Sequence, residues 1–257
     1  MNVVPKKALG QHFLVDENIL GVIGRLSDLQ PDDVAVEIGP GLGVLTRYLA
    51  ERIEFVHAVE IDRTLEEPLT ATLAGRENVR LTFGDALRLD LAALEPRPRK
   101  LIANLPYNVA TPLVVETLEH VPSLERWCVM VQREIAERLF AEPRTKAYGA
   151  VSVLVQLAAR KTGFHAVPPT VFRPRPRVES ALVAFVRIAG PSLTDVRPIV
   201  EAAFAHRRKM LANSVALAGL ASRARVDEAL AAIDRTTGVR AEELTPLEFF
   251  ALAEAIR

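Results

Sequence analysis

Val34-Ala35-Val36-Glu37-Ile38-Gly39-Pro40-Gly41-Leu42-Gly43 decides the fold. The first five residues form a short, β-branched apolar run, which reads as a buried strand. The three alternate glycines then make a turn, and Val44, Leu45, Tyr48, Leu49 and Ile53 follow at the spacing of one helical face. A strand that turns through glycine into a helix is the opening unit of a nucleotide-binding α/β sheet. The dinucleotide form, G-x-G-x-x-G, is not met. Counted from Gly39 the last position is Val44, and counted from Gly41 it is Thr46. A G-x-G-x-G loop preceded by an acid instead suits a nucleoside that approaches the backbone closely and carries no pyrophosphate.

The same alternation continues outward. Strands are expected at 55–59, 79–83, 101–103, 127–131, 150–160 and 181–188, with helices at 44–53, 63–74 and 134–140. A further helix is expected to open at Thr111-Pro112, with Thr111 as N-cap and Pro112 at the first position. The fold class this implies is α/β: a doubly wound, mostly parallel, seven-stranded Rossmann-like sheet that binds ligands at its strand carboxyl ends. After Gly190-Pro191 the pattern is helical throughout. Val196, Ile199, Val200, Ala203 and Phe204 share a face, and Thr245-Pro246-Leu247-Glu248 carries a capping box with a proline at the first helical position. Two domains are therefore expected, 1–189 and a small all-helical one over 190–257.

Composition is that of a globular protein, with 49% hydrophobic and 25% charged residues in 257. No apolar run approaches a membrane span and no secretory leader is evident, so the expected location is the cytoplasm. Cys128 is the only cysteine and lies in an apolar strand, which marks it as a buried thiol. With one cysteine and five scattered histidines, no metal site is expected. Net charge is zero but unevenly spread. Residues 141–211 hold 12 Lys/Arg and 4 Asp/Glu, a net of +8, which leaves −8 on the rest of the chain. One phosphate-facing surface would produce this polarity.

Asn104-Leu105-Pro106-Tyr107 follows the strand at 101–103. An amide oxygen and a backbone carbonyl can both accept from an exocyclic NH2 group, and a tyrosine offers a face to a purine. Alone, the tetrapeptide is also an ordinary strand-end turn. The neighbouring strand ends add weight. Glu60, in Val59-Glu60-Ile61-Asp62, can accept from two ribose hydroxyls, and Asp85, in Gly84-Asp85-Ala86, can accept from an adenine amine. Glycine loop, Glu60 and Asp85 at three successive strand ends favour S-adenosyl-L-methionine over NAD.

In these segments the chain resembles class I methyltransferases, and closely the KsgA-type ribosomal RNA adenine dimethyltransferases. The resemblance also rests on Leu9-Gly10-Gln11-His12-Phe13-Leu14, Val131-Gln132-Arg133-Glu134, Phe172-Arg173-Pro174-Arg175-Pro176-Arg177-Val178 and His206-Arg207-Arg208-Lys209-Met210-Leu211, so it spans nearly the whole chain. It implies that His12 and Leu14 close over the cofactor, lined by Gly39, Gly41, Glu60, Ile61, Asp85, Ala86 and Asn104. Family members usually carry Asn at the position of His12; a backbone contact survives that change. The resemblance further implies dimethylation at N6 of two adjacent adenosines near the 3′ end of 16S rRNA, in the assembling small ribosomal subunit, with the helical domain aiding rRNA recognition. The sequence leaves the oligomeric state open, a monomer being the simpler expectation.

The expected chemistry is electrostatic. Asn104 Oδ1 and the Pro106 carbonyl accept from N6 and favour a pyramidal amine, which needs no strong general base. Tyr107 and, by resemblance, Phe172 clamp the base, worth ~1–3 kcal/mol per stacked base. Arg173, Arg175 and Arg177, stiffened by prolines, track phosphates, and Arg207, Arg208 and Lys209 add a second basic edge. The competing readings are a large-subunit (macrolide-resistance) methyltransferase, an RNA-binding assembly factor without catalysis, and an NAD dehydrogenase.

Overall fold

A computed structural model describes residues 5–6 and 9–257; residues 1–4, 7 and 8 of the expected first domain lie outside them. In chain order the elements are β1 (Phe13–Leu14), α1 (Glu17–Ser27), β2 (Val34–Ile38), α2 (Val44–Ala50), β3 (Phe55–Glu60), α3 (Glu66–Thr72), β4 (Val79–Phe83), β5 (Lys100–Asn104), α4 (Ala110–His120), β6 (Arg126–Gln132) and α5 (Arg133–Leu139). They continue as α6 (Ala150–Ala158), β7 (Ala159–Val167), β8 (Phe172–Arg173), β9 (Ser180–Arg187), α7 (Leu193–Ala205), α8 (Leu211–Leu217), α9 (Arg223–Ala232) and α10 (Pro246–Ile256).

Seven strands form one sheet in the order β4-β3-β2-β5-β6-β9-β7. The first five run parallel, and β9 runs antiparallel to β6 with Gln132 opposite Ser180. The central strands read as continuous apolar runs because they are covered on both faces: β2 is buried along its whole length, and Leu101, Ile102, Val129 and Met130 are fully buried. The chain order reverses between β2 and β5, which opens a crevice beyond their carboxyl ends. Both the glycine loop and Asn104-Leu105-Pro106-Tyr107 leave from those two ends. The short pair β1–β8 sets Phe13 opposite Arg173 and Leu14 opposite Phe172.

Two expectations are corrected. Residues 150–158 are a helix, not a strand. Val151, Val153, Leu154 and Val155 form an apolar run whose β-branched residues suggest a strand, yet the backbone is helical and nearly every side chain is buried. The seventh strand is β7 instead, a polar segment in which only Ala159 and Val167 are buried. Helix α4 begins at Ala110 with Val109 as N-cap, so Thr111 is not the cap. Pro112 still falls in the first turn, where a missing N–H costs nothing.

Contacts divide the chain into two compact units. One runs to Ala136 and takes in Lys161–Arg187; the other comprises Glu137–Arg160 and Ile188–Arg257. The helical unit therefore begins earlier than residue 190 and includes α6, which packs on α7 and α10. Its core is aromatic. Tyr148 is fully buried, donates to the Leu244 carbonyl at 2.8 Å and meets Phe204, which in turn packs on Phe249. The capping box of α10 forms as expected, with Thr245 Oγ1 accepting from the Glu248 amide at 3.3 Å. In the first unit Cys128 is buried, which pushes its thiol up to about 11. No helix among the described residues is long and apolar enough to cross a membrane.

Candidate active site

The loop after β2 is held by left-handed glycines. Gly39, Gly41 and Gly43 have φ of 75°, 60° and 80°, a region that side chains with a Cβ enter at a cost. At Gly41 space is short as well, because a Cβ there would lie 2.9 Å from the Phe13 ring. Phe13 of β1 thus lies directly on the loop. The amide of Gly41 donates to Glu60 Oε2 at 3.1 Å, and the amide of Asp62 donates to Glu60 Oε1 at 2.9 Å. Glu60 is buried, and burial raises its pKa against those two amides. Each of its oxygens keeps a lone pair free to accept from a ligand hydroxyl.

Glu37 ends just ahead of the first glycine, 1% exposed, with Oε2 lacking any hydrogen-bond partner. Burial, reinforced by the charge of Glu60, pushes it up to about 8. Glu37 thus presents a buried oxygen without a hydrogen-bond partner in the wall of a cleft.

Asp62 fastens the other side. Its carboxylate accepts from Lys6 Nζ at 2.6 Å, Gln11 Nε2 at 2.8 Å, Thr64 Oγ1 at 2.7 Å and the Thr64 amide at 3.0 Å. These donors hold its pKa well below the usual carboxylate range despite the opposing effect of burial. The dipeptide spacing Glu60-Ile61-Asp62 therefore ties the glycine loop with one acid and the N-terminal segment with the other. Ile61 between them is half exposed and faces the cleft.

Asn104 ends β5 with its side chain half buried. Its Nδ2 donates to the His12 carbonyl at 3.0 Å. Because a carbonyl can only accept, this bond fixes the orientation of the amide and leaves Oδ1 as the unclaimed acceptor. The Pro106 carbonyl accepts from the Val109 amide at 3.1 Å and retains its second lone pair. Tyr107 is anchored by a 2.6 Å hydrogen bond between its hydroxyl and Ser180 Oγ, at the start of β9, and burial raises its pKa. Its ring stacks on His12, with centroids 5.4 Å apart and planes 29° apart.

Two cavities meet here. A narrow one of about 60 Å³ lies between the glycine loop, Glu60, Ile61 and Asn104, and Leu9 to Leu14 cover it. A wider one of about 690 Å³ lies under Pro174–Val178, with Gln132 in its wall. Gly10, Gln11, His12 and Tyr107 line both.

The structure thus brings together His12, Leu14, Gly39, Gly41, Glu60, Ile61, Asn104, Pro106 and Tyr107 around the first cavity. Asp85 and Ala86 do not line that cavity, although Asp85 directly follows Gly84, whose amide donates to the Glu60 carbonyl at 2.8 Å. Asp85 accepts from the Leu87 amide at 3.0 Å and pairs with Arg88 at 3.5 Å, while Ala86 lines a separate hollow with Leu113 and His120. Phe172 requires a correction. Its ring is 2% exposed, packed with Leu14, Val167 and Val171, so it offers no face to a base. Arg173, Arg175 and Arg177 are exposed, and among the described residues none pairs with a carboxylate. Arg207, in the helical unit, is committed: its Nε lies 2.9 Å from Glu242 and its Nη2 donates to the Thr145 carbonyl. Arg208 and Lys209 are exposed. Among the described residues no cluster of His, Cys, Asp and Glu could hold a metal ion.

Sequence reasoning missed the parts played by Gln11, Phe13, Asp62 and Ser180. Gln11, Phe13 and Asp62 sit inside segments already singled out by resemblance; Ser180, at the start of a strand, had no signal at all.

Comparison with known proteins agrees with this architecture. A family model described as ribosomal RNA adenine dimethylase matches residues 4–256. The chain is 49% identical, over 98% of its length and 95% of the relative, to the ribosomal RNA small subunit methyltransferase A of Rubrobacter xylanophilus. It is 45% identical to the protein of the same name from Kineococcus radiotolerans, over 98% and 86%. Among solved structures, a dimethyladenosine transferase from Plasmodium falciparum superposes with a TM-score of 0.77 at 22% identity, covering 94% of this chain and 96% of that one. The 23S rRNA methyltransferase ErmE superposes at 0.67 and 28% identity, covering 95% and 99%.

Proposed function

The chain belongs to the ribosomal RNA adenine dimethylase family, and from that membership we propose that it dimethylates N6 of two adjacent adenosines near the 3′ end of 16S rRNA. The donor in this reading is S-adenosyl-L-methionine and the substrate is the assembling small ribosomal subunit, met in the cytoplasm by a monomer. The relatives at 49% and 45% identity, both named for the small subunit, support that target over the large-subunit one borne by the 28% identical neighbour.

The residues fit the donor on chemical grounds. Glu60 retains acceptor capacity for ribose hydroxyls, Gly41 leaves no room for a side chain, and Glu37 Oε2 is a buried oxygen without a partner in the cleft wall. A nucleoside-sized ligand needs several hundred Å³, so the cover formed by Leu9 to Leu14 has to lift for entry. Bound there, the donor would supply a methyl already activated by a sulfonium.

The observation that carries the reading is the orientation of Asn104. With Nδ2 spent on the His12 carbonyl, Oδ1 accepts one N6 hydrogen and the Pro106 carbonyl the other. Two fixed acceptors draw the amine out of conjugation and direct its lone pair, which is preorganised electrostatic catalysis without a strong base. Tyr107 supports the ring, held in place through Ser180. After transfer the proton leaves to water. In a second round a methyl replaces one N–H, and the acceptor facing it goes unused. Arg173, Arg175 and Arg177, on the basic strap that runs from Arg173 to Val178, meet phosphates, while Arg208 and Lys209 give the helical unit its part in rRNA recognition.

Labelled donor offered to unmodified small subunits, and separately to large-subunit RNA, tests the reading. Two dimethyladenosines on the small subunit are expected by mass spectrometry. Label on large-subunit RNA alone would sink it.

A further inference from the structure

His12 is one of the four residues that line both cavities, and it makes three contacts there. Its carbonyl orients Asn104, its ring covers one face of Tyr107, and its Nδ1 lies 2.7 Å from the Pro174 carbonyl. The last contact sets the tautomer, since a carbonyl oxygen can only accept: Nδ1 carries the hydrogen. The imidazole is thereby pinned between the catalytic turn and the basic strap. A flat, half-buried aromatic heterocycle rests where the methylation reading requires an adenine to rest.

We infer that His12 is a positioning and specificity-determining residue, a placeholder whose ring occupies the base-stacking face of Tyr107 and gives way to the target adenine. This rests on the adenine-methylating reading of the same site. The side chain can leave while the backbone carbonyl stays, so base entry does not disturb the orientation of Asn104. Leaving breaks the bond to the Pro174 carbonyl, so entry of the base also removes one tether of the segment carrying Arg175 and Arg177, which stays held at its ends by the β1–β8 pairing and by Arg133 on Glu179. A base that stacks poorly on Tyr107 cannot displace the imidazole, which adds discrimination before any chemistry. The occupied face lowers the fraction of competent sites, and removing the ring removes that handicap.

The test uses the full chain saturated with S-adenosylhomocysteine and the fluorescent adenine analogue 2-aminopurine riboside, whose emission is quenched on stacking. Loss of one stacking contact and one hydrogen bond predicts roughly fivefold or more tighter binding to His12→Ala than to wild type. His12→Phe, which keeps a ring on Tyr107 but lacks the tether, is expected between the two. In turnover with small subunits, KM for His12→Ala falls by a similar factor. Equal or weaker quenching in His12→Ala overturns the inference, as does a fall in kcat with KM unchanged. Should His12→Ala misfold, weaker binding by His12→Phe than by wild type also overturns it. If wild type labels no rRNA and binds no analogue, the methylation reading itself fails. If wild type labels rRNA and His12→Ala changes nothing, only this inference fails.

Discussion

The loop after β2 and the strap before β9 approach the same pair of cavities, and they are built in opposite ways. At the loop the flanking acids are buried, Glu60 takes two backbone amides, and the glycines hold left-handed turns against neighbouring rings and methyl groups. In the strap the arginines are exposed, prolines alternate with them, and it is tied to the N-terminal segment by the short β1–β8 pairing and the bond from His12. The difference separates two tasks. Activating an amine requires acceptors that do not reorganise, whereas gripping a ribonucleoprotein requires charges that adapt.

The hardest blow to the comparison is at Asn104. Asn104→Ala should lower kcat by about 10²–10³-fold, as loss of a preorganised polar group does, while Arg175→Ala leaves kcat alone. Single-turnover labelling of small subunits checks this, and comparable losses in both variants would break the contrast.

Next is Glu37. Its folded-state pKa of about 8 stands above the ordinary 4.5, so the folded protein holds a proton that the unfolded chain gives up. Stability is therefore full below about 4.5 and declines as pH rises to about 8, by on the order of a few kcal/mol. Glu37→Gln should flatten the thermal melting profile across that window in the ligand-free protein. A profile as steep as wild type would assign the slope to other groups.

Gly41→Ala comes third. A left-handed backbone with a Cβ costs about 1–3 kcal/mol, and contact with Phe13 adds to it, so calorimetry should show donor affinity reduced at least about tenfold. Gly75→Ala is the control, because Gly75 is also left-handed, at φ 77°, but nothing lies within 4 Å of its would-be Cβ. It should cost stability and leave donor binding intact.

The smallest effect belongs to the strap. Arg175→Ala or Arg177→Ala should weaken RNA binding a few-fold and reduce the slope of log K against log salt by about 0.7 for each lost phosphate contact. An unchanged slope would mean that these arginines do not meet phosphate.

Most of the sheet was legible because buried parallel strands are nearly pure apolar runs, as in Val34–Ile38 and Trp127–Val131. The exception follows from the same physics. A buried helix such as α6 is also a pure apolar run, and the polar edge strand β7 has no alternation to detect. The glycine loop, Glu60 and Asn104 announced themselves through their place at strand ends. Pairings between distant segments did not. Nothing in Phe172 reveals that it lies beneath Leu14, in Arg207 that Glu242 claims it, or in Asp62 that it anchors Gln11.

The antiparallel course of β9 has a consequence for how such an enzyme can be remade. The connection over 168–179 leaves β7 and returns through β9, strands adjacent in the sheet, and Gln132 opposite Ser180 delivers its end beside the carboxyl end of β6. Val171 and Phe172 anchor the start of that excursion in the core, but its part after Arg173 can be lengthened, shortened or exchanged without rerouting β2 or β5. The parallel half is then a socket for the chemistry, and the excursion a detachable reader. Grafting another reader onto that margin is the direct way to send the same reaction to a different RNA.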